Sequence, residues 1–241
     1  MRLTYTDTQQ AFRAEVSEWL AANVPPAPLL TLECEEGYHQ HVGWERQLAS
    51  GNWGMVTWPE SYGGRGLDLI EWLIFEEEYW GSGAPLRVNQ NGIFLLGPTI
   101  MEFGTEEQKA RFLTPMAKGE VIWAQAWSEP GAGSDMAAIQ SKAVRDGDHY
   151  VITGQKTWTT LAQHADWGFF LCRTDPTAKA QEGISFILVD MKTPGVEVRP
   201  IITMDGGHEV NETWFTDVKV PVANLVGKEN EGWTYAKYLL A

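Results

Sequence analysis

The chain has 241 residues, 44% of them apolar, and a formal net charge of −14 at pH 7. That apolar fraction supports a sizeable core and excludes a disordered chain, and the length fits one or two domains. The negative field repels nucleic acid and anionic membrane surfaces, so neither is an expected partner, although backbone dipoles still hold an anionic cofactor locally.

The N-terminus, Met1-Arg2-Leu3-Thr4-Tyr5-Thr6-Asp7, has no apolar signal core and no Arg/Ser-rich transit character. From Asp7 to Asn23, Phe12, Val16, Trp19 and Leu20 fall on one helical face, and Pro25-Pro26 ends the run. Cys34 and Cys172 form no C-x-x-C pair, which fits a reducing compartment. A second helix is expected over His39–Ser50 and a third over Leu69–Tyr79. In the third, Glu76-Glu77-Glu78 point in different directions, so a solvated face is expected rather than a metal site. Asn89–Phe103 reads as a buried helix, and its longest apolar run, Ile93-Phe94-Leu95-Leu96, is too short to cross a bilayer. Thr105 and Gln108 form a capping box for a helix that stops near Leu113, before Pro115.

After Gly119 the pattern changes to short alternating runs bounded by Gly, Asp and Pro. Strands are expected over Val121–Ala126, Gln140–Arg145, Tyr150–Thr160, Trp167–Arg173, Ile184–Asp190, Val196–Pro200 and Glu212–Val220, with a tight turn at Asp146-Gly147-Asp148. Helical pattern resumes at Gly232 and has an apolar end. The fold class is therefore α+β: an N-terminal all-helical domain (residues 1–120), a small β-sandwich or barrel domain (121–228), and the start of a truncated helical domain (229–241). A cytoplasmic protein is expected.

Two segments carry the chemistry. In Gln125-Ala126-Trp127-Ser128-Glu129-Pro130-Gly131-Ala132-Gly133-Ser134-Asp135, Gly131 and Gly133 permit close approach or positive φ, and a run of N–H groups makes a phosphate-sized anion site. In Gly154-Gln155-Lys156-Thr157-Trp158-Thr159-Thr160, strand alternation puts the Trp158 indole and the Thr160 hydroxyl on one face. Together they suit a planar cofactor with a phosphate tail, although residue types alone equally fit a Gly-rich loop and an ordinary amphipathic strand. The G-x-G-x-x-G fingerprint of dinucleotide folds is absent. His164 and His208 lack a metal-spaced partner, so no metal is expected.

The two segments resemble the flavin-binding segments of the acyl-CoA dehydrogenase family, aromatic-x-x-Thr/Ser-Glu-Pro-x-x-Gly-Ser-Asp followed by Gly-x-Lys-x-Trp-Ile-Thr. The likeness extends over nearly the whole chain, through Leu96-Gly97-Pro98, Phe103-Gly104-Thr105-Glu106-Glu107-Gln108-Lys109 and Trp214-Phe215-Thr216-Asp217-Val218-Lys219-Val220-Pro221. Gly206-Gly207-His208-Glu209-Val210-Asn211-Glu212 looks closest to the large subunit of pimeloyl-CoA-dehydrogenase-like enzymes.

The resemblance implies FAD as cofactor, an acyl-CoA thioester as substrate, α,β-dehydrogenation as reaction and an electron-transfer flavoprotein as acceptor, in a homo- or hetero-tetramer. By motif position, Trp158 would lie against the isoalloxazine and Thr160 would bond near N5, with Thr159 between them in the cofactor set. Ser128 would bond the N1/O2 edge; Gly133 and Ser134 would hold the pyrophosphate, and Ser134 would also border the pantetheine arm. Gln125 and Trp127 would contact the ring through backbone, although Trp127 stands where the family has an aliphatic residue and Gln125 where it often has Tyr. The family's base glutamate has no counterpart, so no catalytic residue is assigned in this chain, and Glu129 is read as structural. An acyl-CoA oxidase, a related flavin monooxygenase and a non-catalytic subunit of a hetero-oligomer remain open at this point.

Overall fold

A computed structural model describes residues 4–240. It divides into two compact units, Met1–Val88 with Ala117–Glu120 and Asn89–Met116 with Val121–Ala241.

The first unit holds three helices: α1 (Asp7–Asn23), α2 (Glu35–Ser50) and α3 (Leu69–Gly81). Thr6 caps α1 in a capping box with Gln9, and Phe12, Val16 and Leu20 are buried as their spacing predicts. α2 begins four residues before the expected His39. Its N-cap is Cys34, whose Sγ accepts from the Gly37 N–H at 3.3 Å, a cap outside the usual Ser/Thr/Asp/Asn set. Asp68 and Glu71 form a capping box at the start of α3. Aromatic rings fill the space between the helices: Trp53 stacks on Phe75 at 5.8 Å, and Trp44 Nε1 donates to the Tyr79 hydroxyl at 2.6 Å. The acidic run of α3 is more than a solvated face. Arg13 on α1 donates to Glu78 at 2.6 Å and also to Glu77, Ser17 donates to Glu78, and Glu76 accepts from Trp80 Nε1 at 2.8 Å.

Arg87 and Glu45 form a buried ion pair in this unit, Nε donating to Oε2 at 2.9 Å while Nη2 donates to the Gly54 carbonyl at 2.7 Å. Removing one partner strands a buried charge, which costs about 3–5 kcal/mol. Glu45→Ala is expected to lose that much in chemical denaturation. A loss below about 1 kcal/mol, the range of exposed pairs, would contradict the buried assignment.

The second unit opens with a departure from the expected single helix over Asn89–Phe103. A π-helical segment, Asn91–Leu96, precedes α4 (Gly97–Phe103), and the Gly97 N–H reaches back to the Gly92 carbonyl. Pro98 accounts for it: its ring crowds the carbonyl four residues earlier and it donates nothing, so a widened turn ahead of it relieves the clash. α5 (Glu106–Ala117) starts at the expected capping box but runs through Pro115 instead of stopping before it. Burial of Phe112, Leu113 and Met116 on its inner face offsets the lost bond.

The strands are β1 (Trp123–Ala126), β2 (Lys142–Asp146), β3 (His149–Thr160), β4 (Trp167–Arg173), β5 (Ile184–Asp190), β6 (Val196–Ile201) and β7 (Val210–Pro221). They form one mixed sheet in the order β1-β4-β2-β3-β7-β6, with β5 paired to β4, curled into a half-barrel. β1 runs parallel to β4, and β2–β3, β3–β7, β6–β7 and β4–β5 are antiparallel. β4 and β5 are buried along almost their whole length, as continuous apolar runs require. The core gathers Ala126, Tyr150, Ile152, Phe170, Ile187, Phe215 and Val218. α6 (Gly232–Leu239) starts hard against β5, where a Cβ on Gly232 would lie 2.7 Å from the Ser185 carbonyl carbon. Among the described residues no helix is long and apolar enough to cross a membrane.

Candidate functional site

The segment after β1 and the end of β3 are held together by three bonds. The Thr157 N–H donates to the Ser128 carbonyl at 2.9 Å. Lys156 Nζ donates to the Trp127 carbonyl at 3.1 Å and to Glu129 Oε1 at 2.8 Å. A third Nζ donation, to the Leu171 carbonyl at 2.7 Å, ties the same ammonium to β4. Lys156 is fully buried and spends its three donors on these three acceptors. Glu129 also accepts from the backbone N–H groups of Gln140 (2.6 Å) and Ser141 (2.9 Å). Burial pushes the Glu129 carboxyl up, but the adjacent Lys156 charge and these donors outweigh it and hold it below the usual carboxylate range. Its structural reading stands on this geometry.

The turn closes on itself through reciprocal bonds between Glu129 and Ala132, Glu129 N–H to Ala132 O at 2.9 Å and Ala132 N–H to Glu129 O at 3.0 Å. Beyond it, Gly131, Gly133, Ser134 and Asp135 are exposed. Among the described residues, the N–H groups of Gly131, Gly133 and Ser134 donate to no protein acceptor. Neither Gly131 nor Gly133 has positive φ, and a Cβ on either would meet nothing within 4 Å. The glycines therefore do not serve the turn's own backbone. They leave its outer side bare.

β3 ends in a bulge. From Lys156 to Thr159 it advances three residues while β7 advances two, from Thr213 to Asn211. Trp158 takes up the extra residue at φ 59°, and Leu161 follows at φ 53°. A left-handed backbone at a bulky residue costs on the order of 1–3 kcal/mol and persists only where its surroundings impose it. Trp158 is 59% exposed, so its ring recovers little by burial in this chain. Its outward direction comes from the bulge rather than from plain alternation, the basis on which it was paired with Thr160. Thr160 is half-buried.

The remaining expected site residues take different places. Gln125 is half-buried on β1, opposite Phe169 of β4, and Ser128 is half-buried beside the Lys156 anchor. Among the described residues, the side chains of Gln125, Ser128, Ser134, Trp158 and Thr160 make no hydrogen bond. The Trp127 indole is core, packed edge-on against Phe169 at 6.0 Å and Phe186 at 6.1 Å, so only its backbone is placed to meet a ligand. The Thr159 side chain is fully buried, with Oγ1 unpartnered among the described residues, and its carbonyl accepts from Asn211 Nδ2 at 3.1 Å. Burial pushes the nearby Cys172 thiol up to about 11, which keeps it neutral and unreactive.

An exposed strained indole, three uncommitted hydroxyls and a row of free N–H groups on a bare turn suit a flat, phosphate-bearing molecule such as a flavin dinucleotide. Motif reading singled out Gln125, Trp127, Ser128, Gly133, Ser134, Trp158, Thr159 and Thr160 but gave Lys156 and Asn211 no role. The one available signal for Lys156 was a charged residue at an inward-facing position of a strand pattern.

Because the Glu129 carboxyl is depressed in the folded chain, its stabilisation is complete above the ordinary carboxylate value of about 4.3 and is lost as pH falls through its lower folded value. Glu129→Gln leaves Lys156 buried without its counter-charge, a cost of about 3–5 kcal/mol at neutral pH. In urea denaturation the gap to wild type is expected to begin closing as pH falls below about 4.3 and to narrow further through the lower folded value. A gap that is constant from pH 7 to pH 3 would rule the ion pair out as the cause.

Comparison with known proteins shows the family. Residues 6–120 match the model "Acyl-CoA dehydrogenase, N-terminal domain" and residues 124–218 match "Acyl-CoA dehydrogenase, middle domain". The chain is 40% identical over 233 residues to "Acyl-CoA dehydrogenase IpdE1" of Mycobacterium tuberculosis, covering 94% of this chain and 60% of that protein. Among solved structures it is similar to the ChsE4-ChsE5 complex from Mycobacterium tuberculosis, at 37% identity and a TM-score of 0.84, covering 100% of this chain and 61% of that one. It is also similar to a "Tcur3481-Tcur3483 steroid ACAD", at 34% identity and a TM-score of 0.87, covering 100% and 62%. The chain thus spans about 60% of the length of the curated relative it matches. The family consists of FAD-dependent oxidoreductases. Matched by the family's N-terminal and middle-domain models across most of its length, the chain belongs to the acyl-CoA dehydrogenase family.

Proposed function

We propose that this chain is the helical and flavin-binding part, residues 1–120 and 121–228, of an enzyme that dehydrogenates an acyl-CoA at its α,β bond and passes the electrons to an electron-transfer flavoprotein. The observation that carries the reading is Trp158: a bulky residue held left-handed and exposed at a bulge, fastened through Thr157 to Ser128. Bound FAD supplies the hydride acceptor. The chain's residues do the rest by placement. The Trp158 indole offers one face for stacking, worth on the order of 1 kcal/mol beyond burial. Among the described residues the Thr160 and Ser128 hydroxyls have their hydrogens uncommitted to protein, so they are free to donate where negative charge develops, which is the large catalytic term in sites of this kind. The N–H groups of Gly133 and Ser134 are free to hold phosphate oxygens, and the Ser134 hydroxyl is free for the thioester's pantetheine arm. Glu129 is not available as the base, since its oxygens already accept from Lys156, Gln140 and Ser141.

The acceptor follows from the family resemblance, and this chain is similar, at 31% identity and a TM-score of 0.79, to a chain in a structure whose description names an electron transferring flavoprotein of Acidaminococcus fermentans. Support for assembly with further chains is the two-component description of the ChsE4-ChsE5 complex, and for a steroid-derived acyl group the description of the Tcur3481-Tcur3483 protein. The unpaired Cys34 and Cys172 fit the reducing cytoplasm.

The test is rapid-mixing reduction of the FAD-loaded, full-length protein by acyl-CoA thioesters, steroid-derived against straight-chain. Thr160→Val keeps β-branching and removes the hydroxyl. It is expected to slow flavin reduction about ten- to a hundredfold, the value of one donor to developing charge, with substrate affinity little changed. An unchanged rate with a full flavin site would make Thr160 an ordinary strand threonine.

A further inference from the structure

The end of β3 carries two left-handed non-glycine residues, Trp158 and Leu161, with Thr159 and Thr160 between them. The β3–β7 ladder pairs Thr159 with Asn211 and Thr160 with Val210, and a separate polar cluster reinforces it. Asn211 on β7 is fully buried and spends both amide hydrogens, one on the Thr159 carbonyl at 3.1 Å and one on Gln163 Oε1 at 2.6 Å. Its Oδ1 lies 2.8 Å from His208 Nε2. The two acceptors facing Nδ2 fix the amide's orientation, so Oδ1 must accept and His208 Nε2 must carry the hydrogen. Gln163 Nε2 closes the ring by donating to the His208 carbonyl at 3.0 Å, and the Leu161 N–H donates to the Glu209 carbonyl at 2.8 Å.

We propose that Asn211 is a positioning residue: by fixing the Thr159–Thr160 peptide between two strained residues, it aims the Trp158 indole and the Thr160 hydroxyl at the cofactor. This rests on the reading of Trp158 and Thr160 as the flavin-facing pair. Asn211 touches no outward surface of that pair and acts only through the backbone. Gln163 and His208 hold its amide in the one orientation that donates to Thr159. The geometry also assigns a use to the 206–212 segment, whose histidine has no metal-spaced partner in sequence.

The experiment uses the full-length protein, with and without FAD. Asn211→Asp keeps the size and loses both donated hydrogens; Gln163→Leu, at a half-buried position, loosens the same amide with less risk to folding. Expected in both are FAD binding weakened by about tenfold for the loss of one buried bond, an altered visible circular dichroism of the bound flavin, and faster amide exchange over residues 157–163 of the FAD-free protein. His208→Gln, which retains an N–H donor, is expected to stay near wild type. A lowered melting temperature with unchanged FAD affinity, flavin dichroism and local exchange would overturn the proposal and make Asn211 an ordinary packing residue. If Asn211→Asp does not fold, Gln163→Leu decides. Trp158→Leu and Thr160→Val measured alongside separate the two failures. Should they leave FAD binding and dichroism unchanged, the site reading itself fails; should they alter both while the Asn211 and Gln163 variants do not, only the positioning role fails.

Discussion

A buried ammonium group organises the second unit. Taking Lys156 out of water costs several kcal/mol, and the cost is met only because Glu129 neutralises it and two carbonyls complete its donors. That requirement dictates geometry. The turn after β1 must bring both the Trp127 carbonyl and the Glu129 carboxylate to β3. Glu129 must then point inward, where its oxygens collect the N–H groups of Gln140 and Ser141 and so start β2. The Ser141 carbonyl accepts from the Arg173 N–H at 2.7 Å, which returns the chain of bonds to β4. One ion pair therefore sets the register among β2, β3, β4 and the turn that is left bare on its outer side.

Strain is the second constraint. A glycine at 158 would adopt φ 59° without penalty, yet the chain has tryptophan there, exposed. Tryptophan there puts an indole on the surface that a glycine would not supply. The surroundings that hold it are unusually complete: the Ser128 carbonyl on one side of the bulge, the Asn211 amide and the Glu209 carbonyl on the other. A rigid setting of this kind lowers the cost of ordering a ligand-facing side chain at the moment of binding. The bonds that hold Trp158 in place are thus the link between the fold and the proposed chemistry.

Much of this was legible beforehand, and the failures are local. Trp167–Arg173 and Ile184–Asp190 were readable to the residue because buried central strands give unbroken apolar runs flanked by polar ones. α1 was readable because Phe12, Val16 and Leu20 keep strict helical spacing between Thr6 and the prolines. The π-helical turn before Pro98 and the passage of α5 through Pro115 were not, because a proline's effect depends on what the neighbouring turns can bury. The site motif pointed to Ser134 and Trp158, which are exposed, and to Ser128 and Thr160, which are half-buried, but also to Trp127 and Thr159, whose side chains are buried, and not to what holds them. Lys156 and Asn211 act across 15 to 52 residues of sequence, on Leu171 and Thr159, and pairings at that distance leave no periodic trace. The Trp127 indole, which stands where the family has an aliphatic residue, fills the core between Phe169 and Phe186.

In the proposed function, the bulged end of β3 and the bare turn after β1 form one flavin site. A crystal structure of the full-length protein with FAD bound tests it most directly. Expected are the isoalloxazine in van der Waals contact with the Trp158 indole, hydroxyls of Ser128 and Thr160 within hydrogen-bonding distance of the ring, and phosphate oxygens on the N–H groups of Gly133 and Ser134. Ring density elsewhere on the chain, or a Trp158 side chain turned away from a bound flavin, would contradict it.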